Sequence, residues 1–346
     1  MRHPHPYLHA FQVALLAAAL GVLTACASTK HDVAASAPPG PVWPPPPAQA
    51  RVAYLESISG PADIGQGPSV WNKVSTWLSG NATQRDNLVK PFGLALDDQT
   101  NLCLTDTAQA AVYYCDFARR KWRRWDMAGK TRFVSPVAVA RKNGIFYVAD
   151  SELGKVLAFR DDGHEVWEIA APLQRPVGLC LAGNSLYVTD SQTHSIFSFD
   201  LGGHLRFSFG KRGSEPGEFN FPSHLSCDAR GLLCVTDSMN SRVQVFDAEG
   251  KLLRQIGSAG DTSGHFGRPK GTACDSAGHL YAVDALFDNV QVFDADGRLL
   301  LDWGTAGSGP GEFWLPNAIV ISQDNRIFVA DTYNHRVQVF QYLGGS

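Results

Sequence analysis

Residues 316–340 read PNAIVISQDNRIFVADTYNHRVQVF, and this stretch decides the fold. It contains an apolar segment after Pro316, a polar turn, a second apolar segment ending at Asp331, and a third segment, HRVQVF. Short apolar or alternating segments bounded by turn residues are typical of β-strands. The stretch therefore predicts three successive strands joined by tight turns.

The same Pro-to-Asp pattern occurs six times along the chain, and each copy ends at an aspartate. These repeat aspartates are Asp106, Asp150, Asp190, Asp237, Asp284 and Asp331. They are 44, 40, 47, 47 and 47 residues apart, and most units continue into a fourth strand such as RLLLDWG. Four strands in about 40–45 residues correspond to one blade of a β-propeller. The sequence therefore predicts an all-β, six-bladed β-propeller.

The sixth unit has no fourth strand of its own before the last residue, Ser346. Residues 51–58, RVAYLESI, have strand character but belong to no unit. We expect them to supply the missing outer strand, because an open sheet edge would otherwise be exposed. Residues 68–80, PSVWNKVSTWLSG, carry apolar side chains at helical spacing and predict one short capping helix.

The N-terminal region has the pattern of an export signal. Basic and polar residues precede an apolar run, residues 10–23, that is too short to span a bilayer stably. The run ends in LTAC, which resembles a bacterial lipobox with Cys26 as the lipidated residue. We expect a lipoprotein signal peptide at 1–25, a lipidated Pro-rich tether at 26–50 and the propeller at 51–346. The residue after the cysteine is Ala27 rather than Asp, which resembles lipoproteins that are sorted to the outer membrane. We therefore expect the protein to be anchored there and to face the periplasm.

The motifs DTYNHRVQVF and DSMNSRVQVF, with connectors such as GTAGSGPGEFWLP, resemble the NHL repeat. With the lipobox and the tether, the chain resembles bacterial six-bladed NHL-repeat β-propeller lipoproteins over about residues 51–342. Units one and two depart from the motif after the aspartate, where they read DTAQAAVYYC and DSELGKVLAF.

The amino-acid composition limits the classes of binding partner that we expect. The chain is 44% hydrophobic and 18% charged, with a formal net charge of −3. Nothing in this balance favours nucleic acid, which needs a basic footprint. We expect a cell-envelope protein or a small polar ligand as partner, and the membrane to be reached through the lipid anchor. The oligomeric state is not predicted.

A candidate ligand site follows from the first strand of each blade, which lines the channel of a propeller. One residue after the proline, units one to three carry apolar side chains, whereas units four to six carry polar ones. Together with one histidine, these polar residues form an arc, which we term the polar arc: Ser223, His224, Lys270 and Asn317. The sequence predicts that the polar arc binds a small anionic or polar ligand; a hydrated channel mouth is the alternative.

The sequence assigns no catalytic residue, metal ligand or cofactor. The repeat aspartates are predicted to accept backbone N–H groups at turns. The NHL-type amidating lyases hold zinc with several channel histidines, whereas here His224 stands alone in the channel, and catalytic zinc typically has three protein ligands. The leading hypothesis is therefore a non-enzymatic binding propeller, and the alternative is a zinc- or calcium-dependent lyase or lactonase.

A basic and aromatic strip, RRKWRRW, falls on the predicted outer strand of the first blade. Its cations are Arg119, Arg120, Lys121, Arg123 and Arg124. Anionic lipid headgroups would suit these cations. The alternative is that charges on an outer edge prevent strand addition.

A disulfide between Cys103 and Cys115 is predicted by comparison among the repeats. Cys103 lies three residues before Asp106 and Cys115 lies nine after it, where the other units mostly carry aromatic residues. Opposed positions in a hairpin place Cβ atoms about 4.5–5.5 Å apart, which a disulfide can span. Two reduced core thiols are the alternative.

Overall fold

The computed structural model describes residues 40–66 and 86–344, which form an all-β, six-bladed β-propeller. Each blade is an antiparallel sheet whose first strand lies at the channel and whose fourth strand lies outermost. The fold class predicted from the repeats is confirmed. The predicted capping helix at 68–80, the signal peptide and Cys26 lie outside the described residues.

Each of the first three blades uses four consecutive strands. Blade 1 comprises Pro91–Leu96, Leu102–Asp106, Ala111–Asp116 and Lys121–Trp125. Blade 2 comprises Pro136–Lys142, Ile145–Asp150, Lys155–Arg160 and Glu165–Ile169. Blade 3 comprises Pro176–Ala182, Ser185–Asp190, Ser195–Asp200 and Leu205–Phe209. A small hairpin, Met127–Ala128 with Thr131–Arg132, lies between blades 1 and 2 in the chain.

The other three blades repeat this arrangement. Blade 4 comprises Pro222–Cys227, Leu233–Asp237, Arg242–Phe246 and Leu252–Ile256. Blade 5 comprises Pro269–Cys274, Leu280–Asp284, Asn289–Phe293 and Leu299–Trp303. Blade 6 comprises Pro316–Ile321, Arg326–Asp331, Arg336–Tyr342 and the N-terminal strand Val52–Ile58. Short 3₁₀ turns occur at Ser238–Asn240 and Thr332–Asn334.

The N-terminal strand closes the ring as the sequence predicts. Val52–Ile58 pairs antiparallel with Arg336–Tyr342, so the last blade is built from both ends of the propeller domain. A further two-residue strand, Val42–Trp43, pairs outside it, and the Trp43 ring lies 5.9 Å from that of Phe340. The predicted tether is corrected here: residues 42–43 lie on the propeller because Trp43 packs there.

The core lies between blades rather than inside any one of them. Six apolar clusters each join two neighbouring blades, and the cluster of blades 6 and 1 completes the ring. The ninth residue after the repeat aspartate is a buried phenylalanine in five blades: Phe159, Phe199, Phe246, Phe293 and Phe340. The recurring aromatic positions of the sequence are therefore core positions.

The connectors between the later blades depend on glycine. Gly304 has φ of +104°, and a Cβ there would lie 2.6 Å from the ring of the fully buried Phe313. A side chain at this position would be strained and would also displace Phe313.

Among the described residues, no helix is long and apolar enough to cross a membrane.

Candidate functional site

The channel is a cavity of about 360 Å³ lined by the first strands of all six blades. Small residues stand two positions after the proline in five blades because the backbones approach closely there. A Cβ on Gly271, for example, would lie 2.7 Å from the Cα of Ala318 in the next blade. The exception is His224, whose imidazole has room because it extends toward the channel.

The structure brings three members of the polar arc together. The side-chain amide of Asn317 lies 3.1 Å from Nε2 of His224, and Nδ1 of His224 lies 3.0 Å from the Ser223 hydroxyl. Asn317 also donates to the Phe92 carbonyl at 3.1 Å, and the Phe92 and His224 rings stack 6.4 Å apart. Blades 1, 4 and 6 are therefore linked across the channel mouth.

Electrostatics keep this imidazole neutral. Burial lowers the pKa of His224 from 6.5 to about 3, with a further contribution from the Lys270 charge. A base with such a low pKa takes up a proton poorly at neutral pH, so His224 is suited to hydrogen bonding rather than to general-base catalysis.

Lys270, the fourth member of the polar arc, acts on the site through its charge. Burial, with a contribution from Arg268, lowers the pKa of Lys270 from 10.5 to about 8. The amine is therefore largely protonated at pH 7. No carboxylate in the described part of the chain lies within ion-pair distance of it. Other cations, such as Lys211 and Arg336, do have carboxylate partners. A half-buried ammonium without a counter-ion favours an anionic ligand.

The repeat aspartates are structural acceptors. The Asp106 carboxylate accepts the backbone N–H groups of Val89 and Lys90 at 2.7 and 2.9 Å, and those of Ala108 and Gln109 at 3.0 Å. It thereby fastens the entry of the first strand to the loop after the second. Across residues 40–66 and 86–344, no three His, Cys, Asp or Glu side chains cluster as a metal site.

Blade 6 places more donors on its aspartate. Asp331 accepts the Trp314 N–H at 2.8 Å, Nε of Arg336 at 2.8 Å and Nε2 of Gln338 at 3.0 Å, and it also accepts the Asn334 amide. The same set recurs in blade 4 around Asp237, with Asn240, Arg242 and Gln244. The NHL-like motif residues therefore hold the loops of these blades.

One end of the propeller, which we term the Asp rim, is formed by the residues before each inner-strand proline and the loops after each repeat aspartate. Seven large apolar side chains on it are more than a third exposed: Val89, Val134, Phe221, Met239, Leu286, Trp314 and Tyr333. Five of them belong to blades 4–6, which also carry the whole polar arc. We term these five the apolar arc. Sequence reasoning missed it, although three of its members, Met239, Leu286 and Tyr333, lie two residues after their repeat aspartates.

Cations accompany the apolar arc. Arg268 precedes the first strand of blade 5, and Lys90 precedes that of blade 1 with its ammonium 4.9 Å from the centroid of the Tyr333 ring. Among the described residues neither forms an ion pair, unlike Arg175 of blade 3, which lies 3.6 Å from Glu152. The Asp rim near blades 5, 6 and 1 therefore has unpaired positive charge.

Lys121, Arg123 and Arg124 of the basic strip lie on the outer strand of blade 1, as the sequence predicts, whereas Arg119 and Arg120 lie in the turn before it. Arg119 pairs with Asp116 at 3.0 Å, and Arg123 lies 3.7 Å from Asp161. The side chain of Trp122 is 8% exposed and packs in the core, and its backbone N–H donates to the side chain of Gln66. Part of the strip therefore serves blade packing and edge protection.

A second cavity of about 360 Å³ lies at the other end of the propeller, near Lys121 and Arg123. Its centre is Arg141, whose guanidinium lies 2.6 Å from Asp97 and 3.0 Å from Asp161. These ion pairs join blades 1 and 2. Basic and acidic side chains line the cavity in balance, so its charge favours no ligand class.

The predicted disulfide is wrong. Cys103 is paired with Tyr114 and Cys115 with Leu102, so the two thiols lie on opposite faces of the sheet. Both are free and fully buried, in separate clusters. The reason is a one-residue slip in the assumed register, which turns a strand residue to the other face.

The structure instead joins Cys180 and Cys227, with Cα atoms 5.8 Å apart. These residues lie on the inner strands of blades 3 and 4, so the disulfide crosses a blade interface beside the channel. Sequence reasoning missed this pair because it searched for partners within one hairpin.

Comparison with known proteins supports the fold. The NHL repeat profile matches residues 313–340. No curated protein matches the chain in sequence. The chain is an NHL-type six-bladed β-propeller.

Solved structures of similar fold include enzymes and a binding protein. A streptogramin B lyase is 13% identical, with a TM-score of 0.56, over 73% of this chain and 94% of the lyase. A catalytically inactive virginiamycin B lyase from Staphylococcus aureus with quinupristin is 12% identical, with a TM-score of 0.55, over 75% and 96%. An auxiliary nutrient binding protein from Bacteroides thetaiotaomicron is 13% identical, with a TM-score of 0.57, over 74% and 70%. At such identities the likeness concerns the fold alone.

Proposed function

We propose that the protein is a non-enzymatic binding propeller of the cell envelope, whose Asp rim binds an acidic segment of a protein partner. The observation that carries this proposal is the position of the apolar arc beside a channel mouth that carries unpaired cations. The repeat does not explain the apolar arc, because the loops after the aspartates of blades 2 and 3 expose the polar residues Glu152 and Gln192 at the matching positions.

The apolar arc supports a protein partner. Met239 is 66% exposed, Leu286 60% and Trp314 54%, and they lie on three successive blades. Contiguous exposed apolar side chains on a stable domain are typical of interaction sites. Trp and Met are also enriched at the centres of protein interfaces.

Charge determines the kind of partner. Arg268, Lys270 and Lys90 have no carboxylate within ion-pair distance in the described residues, and they flank the apolar arc on blades 5 and 1. Cations arranged in this way attract an acidic segment and accelerate its association. We therefore infer that the partner presents carboxylates between apolar side chains.

The polar arc provides a place for one such carboxylate. The Lys270 ammonium supplies the charge, and the amide of Asn317 and the imidazole of His224 supply hydrogen bonds. A small polar or anionic ligand would use the same groups, so a free acid should compete with the partner for the channel mouth.

Anchoring at Cys26 belongs to the same proposal. The lipobox places this cysteine at the new N-terminus after processing, and several acyl chains would hold the protein stably on a bilayer. Replacing Cys26 by Ser should move the protein from the membrane fraction to the soluble periplasmic fraction. Unchanged membrane association of C26S would contradict the anchor.

A metal-dependent lyase or lactonase is the alternative, since enzymes occur among the proteins of similar fold. Bound zinc or calcium in stoichiometric amount in the purified protein would favour it. The neutral, weakly basic His224 supports the binding function instead.

Site-specific cross-linking in intact cells tests the binding face. A photoreactive residue is placed at Leu286 in one variant and at Gln192 in another; both lie two residues after their repeat aspartates. The proposal predicts a discrete protein adduct from position 286, and little from position 192. Equal adducts from both positions, or an adduct from 192 alone, would contradict it.

A further inference from the structure

Two of the free thiols lie together at the interface of blades 4 and 5. Cys234 is on the second strand of blade 4 and is 2% exposed, whereas Cys274 ends the first strand of blade 5 and lines the channel cavity. Both belong to the apolar cluster that joins these two blades. No contact of the proposed binding face involves them.

The interface of blades 3 and 4 holds a disulfide at the position that corresponds to Cys274. Cys227 lies opposite Leu233, and Cys274 lies opposite Leu280 in the next blade; both leucines are four residues before their repeat aspartates. Cys274 therefore occupies in blade 5 the place that Cys227 occupies in blade 4. Cys227 is bonded to a cysteine of the preceding blade, Cys180.

Blade 4 has no cysteine at the position that corresponds to Cys180, so a bond to Cys274 would need a thiol from elsewhere in that blade. Cys180 lies opposite Tyr187, and the same place in blade 4 is held by Ser226, which lies opposite Cys234. The thiol that blade 4 presents toward blade 5 therefore comes from its second strand instead of its first. It is Cys234, in the same cluster as Cys274.

Blades 4 and 5 approach each other closely beside these thiols. The Ser226 hydroxyl lies 2.9 Å from that of Thr272 across the same interface, beside the two cysteines. A hydrogen bond to the Cys274 thiol, together with burial, raises the pKa of Cys234 well above its ordinary value. The two thiols therefore lie in one cluster and are both free in this structure.

We propose that Cys234 and Cys274 are a redox-active dithiol that a low-molecular-weight disulfide oxidises to a second interblade disulfide.

The channel determines which thiol reacts first. Cys274 faces the cavity, so its thiolate attacks one sulfur of the small disulfide, whose own S–S bond breaks and releases one thiolate. Cys234 then gives up its proton, and its thiolate attacks the Cys274 sulfur and expels the second small thiol. The protein dithiol loses two electrons and two protons; the reagent gains both as two thiols.

Closure would link blades 4 and 5, as the existing disulfide links blades 3 and 4. Three consecutive blades would then be joined covalently beside the channel. Because blades 4 and 5 both carry members of the apolar arc, the oxidation state of the dithiol bears on how rigidly that arc is held.

Oxidised glutathione is a suitable probe. The native protein is incubated with it in excess, free thiols are alkylated after unfolding, and non-reduced peptides are mapped by mass. The proposal predicts a linked peptide pair containing Cys234 and Cys274, whereas Cys103 and Cys115 remain alkylated because they are fully buried.

Two variants separate the steps. Cys234→Ser should stop at a stable mixed disulfide on Cys274, because the second thiol is missing. Cys274→Ser should leave Cys234 unmodified, since that thiol is shielded from the channel. Recovery of both cysteines as free thiols from the wild type, or of Cys274 linked to Cys180 or Cys227, would overturn the proposal.

Discussion

Blades 1–3 and blades 4–6 share one repeat but differ in their loops, and blades 4 and 6 differ most in how they use the repeat aspartate. In blades 1–3 the repeat aspartate accepts mainly backbone N–H groups, as at Asp106. In blades 4 and 6 the aspartate also holds an asparagine, an arginine and a glutamine side chain. The same buried carboxylate therefore holds two kinds of loop within one ring, one through backbone N–H groups alone and one through side chains as well.

The two halves also differ at the channel mouth and on the Asp rim. One residue after the proline, blades 1–3 present Phe92, Val137 and Val177, whereas blades 4–6 present the polar arc. The loops after the aspartates of blades 2 and 3 expose Glu152 and Gln192, whereas the apolar arc belongs to the other half. Residues that recur in all blades hold the ring, and we propose that residues confined to one half bind the partner.

Ring closure joins the two halves, so breaking it should have the largest effect. Deleting residues 51–58 removes the outer strand of blade 6 and exposes the edge of Arg336–Tyr342. We expect loss of cooperative thermal unfolding, monitored by near-UV circular dichroism. An unaltered melting curve would show that the N-terminal strand is dispensable.

Replacing the repeat aspartates tests the two loop designs directly. Asp331→Ala would leave Arg336, whose side chain is only 13% exposed, without its fully buried counter-ion and should cost about 3 kcal/mol of unfolding free energy. Asp150→Ala orphans backbone donors only and should cost about 1–3 kcal/mol. Urea unfolding of both variants provides the comparison, and equal losses would remove the distinction between the two loop designs.

The cysteines provide a third comparison, between a bonded pair that joins the two halves and a free pair within blade 1. Replacing Cys180 and Cys227 by Ala should cost up to about 4 kcal/mol, because the disulfide closes a loop spanning 47 residues. The matched control, Cys103→Ala with Cys115→Ala, removes two free buried thiols and should cost about 1 kcal/mol for each. A larger loss in the control would contradict the observed pairing.

Another expected effect is the pH dependence of stability contributed by His224. Its folded pKa, about 3, lies below the ordinary 6.5, so the unfolded chain binds more protons between these values. This contribution to stability is present in full above pH 6.5 and is lost as the pH falls toward 3. The wild type should therefore lose unfolding free energy as the pH falls from 6.5 to 4. The variant His224→Gln should lose less over the same range, when each protein is compared with itself at pH 7.5. Parallel curves would mean that the imidazole is solvated.

The sequence predicts the blades well because each unit repeats the same physical requirements. Pro at the first strand, Asp at the end of the second and Phe in the third recur, and each has one structural role. The closing strand follows from the unpaired edge of the last blade. The cysteine pairing does not follow, because a one-residue difference in register decides the face, as at Cys103 and Cys115.

The site is only partly predictable for a similar reason. The polar arc follows from the start of each inner strand, and the contact between His224 and Asn317 joins two of its members across the channel. The apolar arc does not follow, because an exposed Leu286 or Trp314 has the same sequence signature as a buried one. Only the packing of neighbouring loops decides which apolar side chains stay at the surface.

The central claim is that the Asp rim of blades 4–6 binds the partner through its apolar side chains and its unpaired cations. Arg268 and Arg175 provide a matched test, because each precedes the first proline of its blade and both are exposed. Arg175 is paired with Glu152 on the half that we expect to be inactive.

The deciding measurement is the dissociation constant of the partner captured at position 286, for wild type, Arg268→Glu and Arg175→Glu, at low salt. We predict that Arg268→Glu weakens binding about tenfold, equivalent to about 1.4 kcal/mol, and that Arg175→Glu changes it by less than about twofold. Equal weakening by both variants, or a larger effect at Arg175, would contradict the assignment of binding to blades 4–6.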